Sequence, residues 1–269
     1  MKKWQIHLLC LALLLAGGGA AAARPGLGAL QTGEFALTPI TNHQPWGYAS
    51  YDAYWNSLQQ VDLEIGGLDR FRDLPKLAMK EPYTGNLVLG DDGRKFGLII
   101  DIVGEEKRLY IDSDGDGSFA GEGWTPLLNE WQGLQIYWVY GPEPVRVNVP
   151  YQGVAGSRPL ELEISGLLNK PGVLVKEKPF LRVSVRTWFL GRIVEDDAEK
   201  LVAVVDRNHN GRFNDPEDLL FLDFNDDGAF DREEALARKR GLTVTAAKQR
   251  LDLTWGVYPE KLGIGGKAK

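Results

Sequence analysis

KFGLIIDIVGEEKRLYIDSDGDGSF, residues 95–119, contains the pattern that predicts the fold class. Two apolar runs of strand length flank the polar turn at 104–106, and an aspartate-rich loop follows the second run. Comparable runs recur along the chain, and LELEI at 160–164 alternates strictly between apolar and acidic residues. Such alternation is typical of a strand with one dry face and one wet face. The sequence therefore predicts a mainly β fold with antiparallel, β-sandwich-like sheets and few short helices.

The same order of features occurs again in FLGRIVEDDAEKLVAVVDRNHNGRF, residues 189–213. One residue more separates the lysine of this stretch from the first aspartate of its loop. Both an internal duplication and independently recurring hairpins therefore remain open. We expect helices at 48–60 and at 231–240, the second with acids first and bases last, as the helix dipole prefers.

Glycine, proline and charge patterns divide the chain into five parts. These are a signal peptide (1–23), an N-terminal segment with one short helix (24–80), a first β unit with an aspartate-rich loop (81–150), a second β unit with two such loops (151–262) and a tail (263–269).

The N-terminus has the three-part layout of a secretory signal. Two lysines precede an apolar run at about 8–16, small residues follow, and we expect cleavage near Ala23. The run is shorter than the roughly 20 residues of a membrane span, so we expect a secreted or periplasmic protein without a stable membrane anchor. Cys10 is the only cysteine. Its removal with the signal would exclude disulfides and cysteine zinc sites from the mature chain.

DFNDDGAFDREE, residues 223–234, places oxygen-bearing side chains at alternate positions around a glycine. A hard cation such as calcium takes six to eight oxygen ligands, which one tight loop can supply from such positions. We refer to this segment as the third loop. Its predicted ligands are the side chains of Asp223, Asn225, Asp227, Asp231 and Glu234 and the carbonyl of Ala229.

The second loop, DRNHNGRFNDPE at 206–217, keeps this spacing but carries amides where the third loop has carboxylates. Its predicted ligands are Asp206, Asn208, Asn210, Glu217 and, at the seventh position, Arg212. Fewer negative ligands lower the affinity for a cation, so we expect weaker binding here. Pro216 restricts the swing of Glu217, which leaves Asp215 or Asp218 as substitutes.

The first loop, DSDGDGSFAGEG at 112–123, begins with three aspartates. Its predicted ligands are Asp112, Asp114, Asp116, the carbonyl of Ser118, and Glu122. The last acid stands at the eleventh position, because the twelfth is Gly123. For all three loops the competing interpretation is a plain polar turn, since Asp and Asn before glycine also cap backbone N–H groups.

The three segments resemble EF-hand and dockerin-type calcium loops with the pattern D-x-[DN]-x-[DN]-G. The runs that lead into them are typical of strands rather than helices, so the loops resemble calcium loops placed on β hairpins. The wider order of strands and loops is similar to that of uncharacterised secreted bacterial β proteins. The resemblance implies Ca²⁺ as the bound cofactor and a structural role for it.

Two classes of function remain open. The first is a non-catalytic binding or scaffold module that calcium stabilises and that binds a protein or glycan ligand. The second is a carbohydrate-active or other hydrolytic enzyme that uses an acid pair such as Asp196 and Asp197 together with exposed tryptophans such as Trp131 and Trp138. No common nucleophile or phosphate-binding motif supports an enzyme. The net charge of −6 disfavours nucleic acid as a partner.

Overall fold

The computed structural model describes residues 28–41, 58–133, 135–170, 178–237, 242–246 and 249–266. These residues form two antiparallel sheets, which confirms the predicted mainly β fold. The strands are β1 (Gly33–Ile40), β2 (Gln59–Asp62), β3 (Glu64–Ile65), β4 (Tyr83–Leu89), β5 (Arg94–Val103), β6 (Glu106–Ile111), β7 (Trp124–Gln132), β8 (Ile136–Tyr140), β9 (Val145–Pro150), β10 (Ser157–Asn169), β11 (Phe180–Val185), β12 (Trp188–Glu195), β13 (Ala198–Val205), β14 (Leu219–Leu222), β15 (Ala235–Ala237), β16 (Leu242–Ala246), β17 (Gln249–Trp255) and β18 (Lys261–Gly266).

The first sheet closes on itself. Its strand order is β2-β11-β10-β8-β7-β6-β5-β4-β3, with β9 paired to the first half of β10. At one end β2 pairs with β11, and at the other β3 pairs with β4. Only Leu63 separates β2 from β3, so one short segment forms both ends. We call this sheet the closed sheet.

The second sheet has the order β15-β14-β13-β12-β1-β18-β17-β16. The chain enters it twice: β1 comes from the N-terminal part, and β12 follows directly after β11 of the closed sheet. β1 pairs with both β12 and β18, so it joins strands from distant parts of the chain.

Alternating side chains build the core. In β10, Leu160, Leu162 and Ile164 are buried while Glu163 is exposed, as the sequence predicts. The inward-facing residues of both sheets belong to one continuous apolar cluster. Burial of this surface is the main contribution to the stability of such a fold.

Several predictions about the elements are corrected. Of the predicted helix at 231–240 the structure describes residues 231–237; there Arg232–Glu234 turn as a 3-10 helix, and Ala235–Ala237 form strand β15 on the edge of β14. An isolated helix of about ten residues is marginal, whereas the edge of β14 offers backbone partners. Residues 48–57 of the other predicted helix lie outside the described residues, and Gln59 and Gln60 begin β2.

The boundaries of the β units differ as well. β9 and β10 lie on either side of the predicted boundary at 150/151 yet form one hairpin. Residues 263–266 of the predicted tail are part of β18, which pairs with β1 and β17. The predicted signal peptide, 1–23, lies outside the described residues. None of the described segments is a helix long and apolar enough to cross a membrane.

Candidate metal sites

Each of the three loops begins with an aspartate directly after a strand: β6, β13 or β14. Strand pairing ends at this point, so the N–H groups of the next turn need acceptors. The two carboxylate oxygens of the aspartate accept the N–H groups of the fifth and sixth loop residues. The bonds run from Asp116 and Gly117 to Asp112 (3.1 and 2.8 Å), from Asn210 and Gly211 to Asp206 (3.3 and 2.7 Å), and from Asp227 and Gly228 to Asp223 (3.2 and 3.1 Å).

The third and fifth loop residues extend this turn. The side-chain oxygen of the third accepts the N–H of the fifth, and the oxygen of the fifth accepts the N–H of the seventh; the residues are Asp114 and Asp116, Asn208 and Asn210, and Asn225 and Asp227. The sixth residue has a positive φ in every loop: 80° at Gly117, 77° at Gly211 and 78° at Gly228. Only glycine adopts such angles without strain. The repeated sequence pattern therefore corresponds to one backbone conformation that occurs three times.

A buried or half-buried acid closes each loop by accepting the N–H of the second residue. Glu122 accepts Ser113 N–H (2.8 Å), Asp218 accepts Arg207 N–H (3.1 Å) and Glu234 accepts Phe224 N–H (2.7 Å). These acids are the eleventh, thirteenth and twelfth residues of their loops. In the second loop the structure therefore assigns this role to Asp218, whereas the predicted Glu217 is exposed. The turn of the chain at Pro216 places Asp218, and not Glu217, towards the loop.

The eighth residue of each loop is a buried phenylalanine. Phe119 packs edge-on against Phe71, with ring centroids 5.3 Å apart. Phe213 packs against Phe189 at 4.8 Å, and Phe230 against Phe221 at 5.7 Å. These rings connect the polar loops to the apolar core, so a change in loop conformation must disturb core packing.

In the first loop, one carboxylate oxygen from each of Asp112, Asp114 and Glu122 lies within 4.8 Å of the others, which is close enough to hold one metal ion. Asp116 lies at the surface and forms a long ion pair with Arg72 (3.9 Å). Ser118 Oγ donates to Asp73 Oδ2 at 2.7 Å. The loop thereby fixes the segment around residues 72–73 to the outside of the closed sheet.

The second loop lies between the two sheets. From the closed-sheet side, Gly90 N–H donates to the carbonyl of Asn210 (2.9 Å), and the Tyr151 hydroxyl donates to that of Gly211 (2.6 Å). From the second sheet, Phe213 N–H donates to the carbonyl of Val257 (3.0 Å). The conformation of this loop therefore decides how the two sheets are held together.

Asp215 provides hydrogen-bond acceptors for polar side chains of the second loop. Its carboxylate accepts the side-chain amides of Asn208 (3.2 Å) and Asn210 (2.6 Å) and pairs with Arg212 (3.1 Å). The Arg212 side chain thus neutralises an acid beside the loop; only its carbonyl is left as a ligand. His209 is buried, and its Nδ1 accepts Val185 N–H at 3.2 Å.

The third loop is the most exposed of the three. Asn225, Asp227, Ala229 and Asp231 are exposed, while Asp223 and Glu234 are buried beneath them. Glu234 Oε2 also accepts Asp231 N–H at 2.9 Å, so the closing acid fixes both ends of the loop. An ion from solvent can reach this loop without any rearrangement of the fold.

Most of the buried loop acids have no basic partner among the described residues. Five of them are buried and form no ion pair with a lysine or arginine of the described chain: Asp112, Asp206, Asp218, Asp223 and Glu234. Burial raises the pKa of Asp206 well above its usual range, and the charge of Asp218 adds to this effect. Burial raises the pKa of Asp218 to about 7, with smaller contributions from Asp215 and Glu217. Backbone N–H groups stabilise these two carboxylates in part, and a proton or a cation would neutralise the negative charge that remains.

The acid pair considered for a hydrolase lies elsewhere. Asp196 and Asp197 form the turn between β12 and β13, with φ of 47° and 66°. Asp196 Oδ1 accepts Ala29 N–H at 2.8 Å and so holds the segment that leads into β1. These contacts explain the pair as turn and anchoring residues.

The D-x-[DN]-x-[DN]-G pattern coincides with the turn in all three loops, while the ligand roles of these residues stay a prediction. Of the two substitutes offered for Glu217, Asp218 closes the second loop and Asp215 pairs with Arg212. No family model matches this chain, and searches of curated proteins and of solved structures found no significant match.

Proposed function

We propose that this chain is a calcium-binding protein of the secreted or periplasmic space, in which the ion stabilises a non-catalytic binding or scaffold module. The observation that carries the proposal is the set of five buried loop carboxylates without a basic partner among the described residues. An unpaired buried charge costs several kcal/mol, and a bound cation offsets that cost directly. All of the available ligands are oxygens, which suit hard cations. A single loop that offers five or six of them fits calcium better than magnesium, which usually keeps several waters and takes only one or two carboxylates.

The first and third loops fit a calcium ion best. The first brings oxygens of Asp112, Asp114 and Glu122 together. The third has the full predicted spacing, and its buried acids, Asp223 and Glu234, lie at the two ends of the loop. In the second loop the two amides donate to Asp215, so an ion would rely mainly on Asp206 and Asp218. We therefore expect the second site to be the weakest, as its composition also predicts.

Ion binding at these loops would act on the whole fold. The first loop fixes the segment at 72–73, and Asn148 N–H of β9 donates to the carbonyl of Ser113 at 2.7 Å. The second loop joins the two sheets. In an unfolded chain none of these sites exists, so the free energy of ion binding becomes free energy of folding. In a chain without disulfides the ions take the part of covalent cross-links.

Thermal melting with calcium and with a chelator tests the proposal. Extracellular calcium modules bind at about 10⁻⁴–10⁻³ M, so about 10 mM calcium should raise the melting temperature, whereas the same concentration of magnesium should do much less. Asp223→Ala should remove one bound ion, as counted by equilibrium dialysis against millimolar calcium. Asp69→Ala, which removes an exposed aspartate outside the loops, is the matched control. Equal melting temperatures in calcium and chelator would refute the proposal.

A further inference from the structure

A row of large apolar side chains crosses the outer face of the closed sheet. Trp131 of β7 lies opposite Trp138 of β8, which lies opposite Leu167 of β10, which lies opposite Phe180 of β11. We call these four residues the aromatic row. Their strand neighbours, such as Tyr137, Leu168 and Leu181, point to the core, so the row faces outward.

The aromatic row forms a platform whose base is the buried side chain of Leu167. Leu167 is buried, and the rings of Trp138 and Phe180 meet over it edge to face, with centroids 6.0 Å apart. Trp131 is 58 % exposed, and its ring lies against the turn at Gly133, where a Cβ would stand 2.8 Å from Trp131 Cη2. The indole is therefore held against the backbone while its other face is open to solvent.

Arg182 adds a positive charge to this platform. It follows Phe180 by two residues on β11 and so shares its face of the sheet. Its guanidinium lies 5.7 Å from the ring centroid of Trp138 and 5.4 Å from that of Phe180. No described carboxylate forms an ion pair with it, although Asp62 and Glu163 are exposed on nearby strands. The planar fork of this group is free to take a carboxylate from a ligand.

From this arrangement we propose that the aromatic row and Arg182 bind an oligosaccharide that contains uronic acid. A pyranose ring has a face of C–H bonds that packs on an aromatic ring, and its edge carries hydroxyls for polar neighbours such as Ser165 and Gln60. The uronate carboxylate supplies a negatively charged partner for Arg182, which forms no ion pair among the described residues. The row spans three strand spacings, about 14 Å, which suits a short stretch of a linear chain.

The size of the surface argues against a second copy of the protein as the occupant. Trp131, Leu128, Tyr140 and Trp124 are the exposed large apolar residues of β7 and β8, each 39–58 % exposed. Together they offer roughly 300–400 Å² of apolar surface, less than the roughly 450 Å² of apolar area in one side of a standard interface of about 800 Å².

Titration calorimetry with calcium-loaded protein tests the proposal. The probes are oligosaccharides of hyaluronan, alginate and polygalacturonate, the same oligosaccharides with their carboxylates reduced to alcohols, and sulfated dextran. We expect binding of at least one uronate oligosaccharide and at least tenfold weaker binding of its reduced form, because a hydrogen-bonded charge pair is lost. Trp131→Ala and Arg182→Gln should each weaken binding at least tenfold. Trp124→Ala is the control, since Trp124 is exposed on the same strand but lies outside the row.

Each alternative result overturns the proposal. No binding of any uronate probe, equal binding of the reduced form, or tighter binding of sulfated dextran would each exclude a uronate site. A monomer–dimer equilibrium in sedimentation that Trp131→Ala abolishes would show that a second copy covers the row. Because the row lies apart from the calcium loops, these variants should keep the calcium-dependent melting of the native protein, so a failure here leaves the calcium proposal untouched.

Discussion

Asp218→Asn and Glu217→Gln distinguish the loop closure seen in the structure from the one that the spacing alone predicts. The two residues are neighbours and both changes remove one negative charge. Asp218 is fully buried and Glu217 is exposed. Comparing the two substitutions therefore separates the effect of losing a buried, hydrogen-bonded carboxylate from the effect of losing one negative charge.

The expected magnitude follows from the hydrogen bonds of Asp218. Its Oδ1 accepts Arg207 N–H at 3.1 Å and its Oδ2 accepts Asp215 N–H at 2.6 Å. An asparagine has one carbonyl oxygen, so in either orientation one of these buried N–H groups loses its acceptor, at a cost of about 1–3 kcal/mol. Loss of the charge would also weaken the proposed calcium site, which would contribute about 1.4 kcal/mol at ten times the dissociation constant.

Urea unfolding in about 10 mM calcium and in chelator measures both contributions. In calcium, Asp218→Asn should lower the free energy of unfolding by about 2–4 kcal/mol and Glu217→Gln by less than about 0.5 kcal/mol. In chelator the effect of Asp218→Asn should shrink, because the substitution also removes an unfavourable buried charge. If Glu217→Gln destabilises the calcium form as much as Asp218→Asn does, our assignment of the closing acid is wrong.

Two further predictions concern pH and the glycines. In chelator, the raised pKa of Asp218 makes its contribution to stability full below about 3.8 and lost as pH rises through about 7, whereas calcium keeps the carboxylate ionised. The stability difference between calcium and chelator should thus widen from pH 5 to pH 8. His209, whose pKa burial lowers to about 4, destabilises both forms alike on acidification. A constant difference across this range contradicts the argument. Gly117→Ala should cost about 1–2 kcal/mol from its positive φ alone. Gly211→Ala should cost more, since its Cβ would also stand 3.2 Å from Gly90 N and 3.0 Å from Leu160 Cδ1; equal urea midpoints would speak against this crowding.

The strands were predictable because their pattern is local. The period-two alternation at 160–164 predicts that Leu160, Leu162 and Ile164 face the core, and all three are buried. The helix predicted at 231–240 failed because local charge order was outweighed by a distant partner, the edge of β14. Closure of the first sheet depends on pairing of β2 with β11, which no local pattern encodes.

In the loops, too, the locally determined part was predictable and the part that depends on the later course of the chain was not. Their first six residues are set by short-range hydrogen bonds, so the D-x-[DN]-x-[DN]-G pattern locates them in the sequence. The closing acid depends on how the chain returns, and it falls at the eleventh, thirteenth or twelfth residue according to the turn in between. The EF-hand-like spacing places the last ligand at the twelfth position and therefore predicts Glu217 first, whereas in the structure Asp218, one of the two substitutes, closes the loop.

The pairing of β1 has a consequence for the time course of folding. Phe35 of β1 lies opposite Leu262 of β18, so the first strand of the second sheet pairs with the last strand of the described residues. In the closed sheet, Val61 of β2 likewise pairs with Leu181 of β11, which is synthesised much later. Such long-range pairing carries a large loop-closure entropy and makes folding slow. During synthesis β1 leaves the ribosome long before β18, so one edge of β1 stays unpaired until β18 has followed.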